Sequence, residues 1–168
     1  DEEVFKIKNY SADGFEKICD VELSYGDWKY TNVNEALMYA NHESWVYFVV
    51  VDGIIVKAGE TGNPIGIKSS TVYGKWTQPL KGTKCRFGRL SSGDNTDYYL
   101  RESIRPFHAQ NKSVELWAKK CDMYVVNEVI FGEKKKVITT THKNLEQIYL
   151  NNFKNTTGLL PKFNKSTK

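Results

Sequence analysis

A chain of 168 residues, 40% hydrophobic and 26% charged, has the size and composition of one globular domain, large enough to bury a core without disulfides or structural metals. The three cysteines, Cys19, Cys85 and Cys121, are odd in number and far apart, which argues against a zinc clip and for reduced thiols in a cytoplasmic protein. The apolar run Val46 to Val51 is too short to span a bilayer, the acidic start Asp1-Glu2-Glu3 is unlike a signal peptide, and the net charge of +4 hints at a polyanionic partner rather than a membrane.

Residues 1–43 read as an N-terminal extension, with a short strand over Phe5–Tyr10, a helix near Gly14–Val21 and a second helix from Asn32 to Tyr39, capped by Thr31 or Asn32. Ser44 to Val51 and Ile54 to Gly59 are rich in β-branched residues and flank Asp52-Gly53, the pattern of a β-hairpin. The stretch from Glu60 to Asp94, dense in Gly, Ser, Thr and Lys, reads as mostly loop, and a loop of that length is usually functional or flexible. A helix from Asn95 or Thr96 to about Arg105 is expected to end at Pro106. Ser113–Lys119 alternates as a strand, and Tyr124–Thr139 reads as a second hairpin turned at Phe131-Gly132-Glu133. A last helix runs from about Lys143 to Asn155 with Gly158 stopping it, and the tail beyond is extended. The expected fold is α+β: a single domain over 1–168 with a small central antiparallel sheet (hairpin 44–59 plus strand 113–120) flanked by helices, an N-terminal extension and an extra β-hairpin.

Three groups of residues are able to carry chemistry. In the first hairpin, a two-residue turn sets Tyr47 and Lys57 on opposite faces, whereas a three-residue loop over Val51-Asp52-Gly53 sets them opposite one another on one face. A lysine beside a tyrosine hydroxyl favours the phenolate that a general base requires. The alternative is a strand tyrosine reaching water beside a solvated lysine. On the last helix, counted from Leu145, Tyr149 falls near about 40°, Phe153 near about 80°, Glu146 near about 100° and Leu150 near about 140°. Glu146 therefore lies within the apolar stripe, where a carboxylate needs a cation, an arginine or a backbone donor unless it bends out to water. Arg86 and Arg89 follow the long loop and suit phosphate oxygens, or are plain surface arginines. Lys68, Lys75 and Lys84 in the loop, the run Lys134-Lys135-Lys136 and the tail lysines stand near aromatics, a mixture suited to DNA or to a solvated face.

In this order the motifs resemble the GIY-YIG nuclease family. Trp45-Val46-Tyr47 stands in the place of the first motif, Lys57-Ala58-Gly59-Glu60-Thr61 in that of the second, Arg89-Leu90 in that of the arginine, and Asn144-Leu145-Glu146-Gln147 in that of the glutamate helix, with Asn164 in the tail. The resemblance covers about Ser44 to Asn164. It departs from the family in the lysine that replaces the second tyrosine, as in a restriction-endonuclease branch, and in the longer spacing from Thr61 to Arg89, which leaves Arg86 and Lys68 as competitors for the arginine role. The resemblance implies a metal-dependent endonuclease that hydrolyses phosphodiester bonds of double-stranded DNA, of type II restriction character. Tyr47 and Lys57 would serve as base and base partner, Arg89 would stabilise phosphoryl charge, Glu146 would hold Mg2+ or Mn2+, and Arg86, Lys68, Lys75, Lys84 and Asn164 would contact DNA. A homodimer would address both strands of a two-fold site. The rival readings are a non-catalytic nucleic-acid-binding module, which would bind DNA without cutting it, and a repair or homing nuclease, which usually carries a further DNA-binding domain.

Overall fold

The computed structural model describes residues 2–24, 27–38, 40–62, 65 and 103–164. The expected elements at 66–102, including the loop body and the start of the helix near Asn95, lie outside the described residues, as do Arg86, Arg89, Lys68, Lys75, Lys84 and Cys85.

The described chain forms strand β1 (Glu16–Ser24), strand β2 (Asp27–Thr31), helix α1 (Glu35–Met38), strand β3 (Trp45–Val51), strand β4 (Ile54–Thr61), a helix over 103–109 (α2), strands β5 (Val114–Lys120), β6 (Met123–Ile130) and β7 (Glu133–Thr140), and helix α3 (His142–Thr157). One sheet has the order β2-β1-β5-β3-β4 with every pair antiparallel, and β6 and β7 form a separate two-stranded ribbon. The α+β class, the central hairpin with its third strand and the extra hairpin agree with the sequence reading.

The apolar run in β3 has its cause in position. This strand lies between β4 and β5, and both of its faces are covered, so it carries apolar residues without alternation. One face buries Trp45, Val49 and Val51 with Val114, Leu116 and Ala118 of β5, beneath Ile104 of α2, Leu37 of α1 and Phe163 of the tail. The opposite face buries Val46, Phe48 and Val50 against Tyr149, Leu150 and Phe153 of α3 and against Phe5, Ile7, Tyr10 and Phe15. Phe15 stacks on Phe48 with centroids 4.2 Å apart. The Tyr149 hydroxyl donates to Asp13 at 2.7 Å, which ties α3 to the N-terminal segment.

The extension differs most from expectation. Phe5–Tyr10 is not a strand: residues 2–5 and 7–13 wind into short 3-10 turns. Gly14, at φ 100°, closes the second turn, its N–H donating to Ser11 O and the Phe15 N–H to Tyr10 O, a left-handed exit that glycine accepts at little cost. The expected helix over Gly14–Val21 is instead β1, because pairing on both edges, with β2 and β5, outweighs local propensity. The next helix starts later than Asn32, and its cap is Asn34, whose Oδ1 accepts from Leu37 N–H at 3.3 Å. Pro106 does not end α2, since a proline lacks a donor but its carbonyl still accepts from Gln110 N–H at 3.1 Å. The helix closes at Asn111, left-handed at φ 58°, with Lys112 N–H reaching back to Phe107 at 2.9 Å.

Candidate active site

Asp52 and Gly53 have φ of 47° and 81° and form a two-residue turn between Val51 and Ile54. The register then shifts: Val50 pairs with Ile55 but Val49 pairs with Lys57, leaving Val56 as a β-bulge. Beyond the bulge, Tyr47 pairs with Gly59 and Val46 with Glu60. The expected three-residue loop is therefore corrected, and Tyr47 stands opposite Gly59 rather than Lys57. The extra residue restores the parity that a two-residue turn would have broken, so Tyr47 and Lys57 still share a face.

On that face Tyr47 is flanked across β4 by Gly59 and across β5 by Ala118. These small residues leave space for its ring. A Cβ placed on Gly59 would overlap Cζ and Oη of Tyr47 and come within 2.8 Å of Cε1, so the phenol lies over the glycine backbone. The ring is half-buried against the adjoining core.

β4 is an edge strand, and the tail covers part of its open side. Phe163 N–H donates to Val56 O at 2.7 Å; Asn164 Oδ1 accepts from Ala58 N–H at 2.7 Å and its Nδ2 donates to Ala58 O at 3.0 Å. The Asn164 amide thus pairs with the backbone beside Lys57 and holds the tail there.

Helix α3 supplies the carboxylate. It ends at Gly158, whose N–H caps Lys154 O at 2.8 Å, and its buried stripe of Tyr149, Leu150 and Phe153 sits on β3 and β4. Glu146 is half-buried beside that stripe, as the helical count requires. Burial first, and then the nearby Glu60 carboxylate, push its pKa up from 4.5 to about 7, while Lys57 pulls it down. Lys57, Glu60 and Glu146 therefore share one electrostatic neighbourhood, which Tyr47 joins through its common face with Lys57.

Glu60 brings residues for which sequence reasoning assigned no role. His142 Nε2 lies 3.2 Å from Glu60 Oε2, and His142 Nδ1 lies 3.0 Å from the fully buried Ser44 hydroxyl. A carboxylate only accepts, so Nε2 donates to Glu60 while Ser44 engages the other side of the ring. This chain joins the residue before β3, the end of β4 and the first turn of α3. The signal available beforehand was the four-residue spacing from His142 to Glu146, which puts both on one helical face.

No cluster of three or more His, Cys, Asp or Glu side chains fit to hold a metal occurs among the described residues. Glu146 and Glu60 are hard oxygen donors of the type magnesium or manganese takes, with water completing the coordination, so the donor chemistry fits a divalent cation. Among the described residues no helix is long and apolar enough to cross a membrane.

No family model and no curated protein matches the chain. The chain is similar to solved structures, among them two that it matches over more than nine-tenths of its length. Restriction endonuclease HPY188I in complex with product DNA is 20% identical, covering 93% of this chain and 83% of its own, at a TM-score of 0.49. A mutant of bacteriophage T4 EndoII is 13% identical, covering 95% of this chain and 98% of its own, at a TM-score of 0.56. The chain shares its fold with bacteriophage T4 EndoII.

Proposed function

We propose that this chain is a divalent-cation-dependent DNA endonuclease of the GIY-YIG type, with Tyr47, Lys57, Arg89 and Glu146 as its catalytic residues and a restriction enzyme's specificity. The observation that carries the reading is the placement of Tyr47, laid over Gly59 on the same sheet face as Lys57, with Lys57 in turn electrostatically coupled to Glu146. The fold shared with T4 EndoII, a DNA endonuclease, and the positive net charge support a DNA substrate.

Tyr47 takes the proton of the attacking water, and the Lys57 ammonium favours its phenolate form. Arg89 aims a guanidinium at the phosphoryl oxygens as charge develops there, with Arg86 the other arginine of that segment. Glu146, with Glu60 beside it, would hold magnesium or manganese, which when bound supplies charge neutralisation at the leaving oxygen. Lys68, Lys75 and Lys84 contact phosphates, and Asn164 acts by holding the tail along β4. Cutting both strands of a two-fold site calls for a homodimer.

The test is incubation of the purified chain with supercoiled plasmid, with magnesium and with EDTA. Discrete fragments with magnesium alone are expected, and Tyr47→Phe and Glu146→Ala should each abolish cleavage while duplex binding persists. Robust cutting by Glu146→Ala refutes the cation assignment, and intact plasmid with bound protein refutes the enzyme.

A further inference from the structure

The ribbon formed by β6 and β7 has a surface unlike the rest of the described chain. Among the described residues it pairs with no other strand, and Tyr124, Val125, Val129, Phe131 and Ile138 are each more than half exposed. A lone two-stranded hairpin is marginal in water, and exposed apolar residues on such an arm mark a contact surface.

Its two faces differ in charge. The register puts Val125, Asn127 and Val129 on one face with Lys134, Lys136 and Ile138, and no carboxylate stands among them. The other face carries Glu128, Glu133 and Lys135, with Lys135 Nζ 3.0 Å from Glu133 Oε2. One face is therefore cationic and apolar, while the other sets two carboxylates against a single lysine.

The tip is unusual as well. Phe131 and Gly132 have φ of 52° and 78°, a turn in which asparagine or glycine is the relaxed choice for the first position. Phe131 is strained there and fully exposed, so its ring contributes nothing to the core. A strained aromatic at the end of an arm is a feature of contact rather than of folding.

Resting on the DNA substrate proposed above, we propose that this ribbon is a docking arm that enters the major groove of double-stranded DNA, with Lys134 and Lys136 on the phosphates and Phe131 against the base edges. Charge complementarity selects this occupant: the cationic face suits a phosphate backbone. Eight-residue strands give an arm of about 26 Å, and a major groove about 12 Å wide admits a two-stranded ribbon. Phenylalanine packs on thymine methyl groups, and asparagine, as at position 127, pairs with adenine. The Thr141 hydroxyl donates to Asp122 O at 3.1 Å and closes the base of the ribbon. Only Thr141 separates β7 from α3, so seating the arm also sets the helix that carries Glu146.

The experiment measures binding of the full chain to a fluorescein-labelled 30-base-pair duplex of mixed sequence, by anisotropy in EDTA over a series of salt concentrations. The Lys134→Ala/Lys136→Ala variant should flatten the slope of log affinity against log salt by about 2, one unit per lost phosphate contact. Lys135→Ala removes one charge from the other face and should leave the slope unchanged. Phe131→Ala should weaken binding about ten-fold with the slope preserved, as expected of a lost base contact. An unchanged slope in the double variant, an equal loss per lysine in Lys135→Ala, or a Phe131→Ala effect on sedimentation rather than on DNA affinity overturns the arm while wild-type binding keeps the nuclease reading intact. Absence of wild-type binding removes both.

Discussion

Gly59→Ala tests the placement of Tyr47 directly. The new Cβ would overlap the phenol carbon and oxygen and stand within 2.8 Å of Cε1. Carbon atoms in contact prefer roughly 3.5–4.0 Å, so the ring or the strand must shift by about 1 Å or more. Overpacking of this degree costs about 1–3 kcal/mol in stability, and displacing a reacting group by about 1 Å lowers the rate by about 10²-fold. Urea unfolding reads the first effect and plasmid cleavage in magnesium the second. Because the overlap is with Tyr47, truncating that ring should relieve it: Gly59→Ala in a Tyr47→Ala background should cost far less than in the wild type. If the two substitutions instead add to within about 0.5 kcal/mol, the ring does not lie over the glycine and the reasoning fails.

Glu146 sets a pH dependence. Its pKa is raised on folding from 4.5 to about 7, so within this window the folded chain binds more protons and stability falls as the pH rises, fully present below about 4.5 and lost above about 7. The full shift would be worth roughly 3 kcal/mol, and solvent screening of the half-buried carboxyl reduces it to about 1–2 kcal/mol. Urea unfolding of Glu146→Gln against wild type should therefore favour the variant at pH 8 relative to pH 4.5; a parallel pH course would exclude the shift. His142→Phe strips Ser44 and Glu60 of their partner and should destabilise the chain by about 2 kcal/mol in urea unfolding; a change below about 0.5 kcal/mol would show that the Ser44–His142–Glu60 chain contributes no stability.

Local chemistry made much of the chain legible. The run from Val46 to Val51, the alternation of Val114, Leu116 and Ala118, and the stop at Gly158 each reflect forces acting within a few residues, and the corresponding elements formed where the pattern put them. The segment Glu16–Ser24 was misleading because one of its two partners, β5, lies about a hundred residues away along the chain. Pro106 was misleading because a proline inside a helix removes a donor and keeps an acceptor.

The same division runs through the candidate site. The sequence by itself determined that Tyr47 and Lys57 stand on adjacent strands of one hairpin and that Glu146 lies beside the apolar stripe of its helix, since pleat and helical period dictate both. Only the tertiary structure decided that Tyr47 rests over Gly59, that a bulge at Val56 rather than a longer turn keeps Lys57 on the same face, and that Ser44, His142 and Glu60 meet. The bulge is invisible beforehand because either geometry yields the same parity. The meeting of Glu60 with His142 and Glu146 depends on how α3 packs across β4, which follows from burial of Tyr149, Leu150 and Phe153 rather than from any property of the carboxylates themselves.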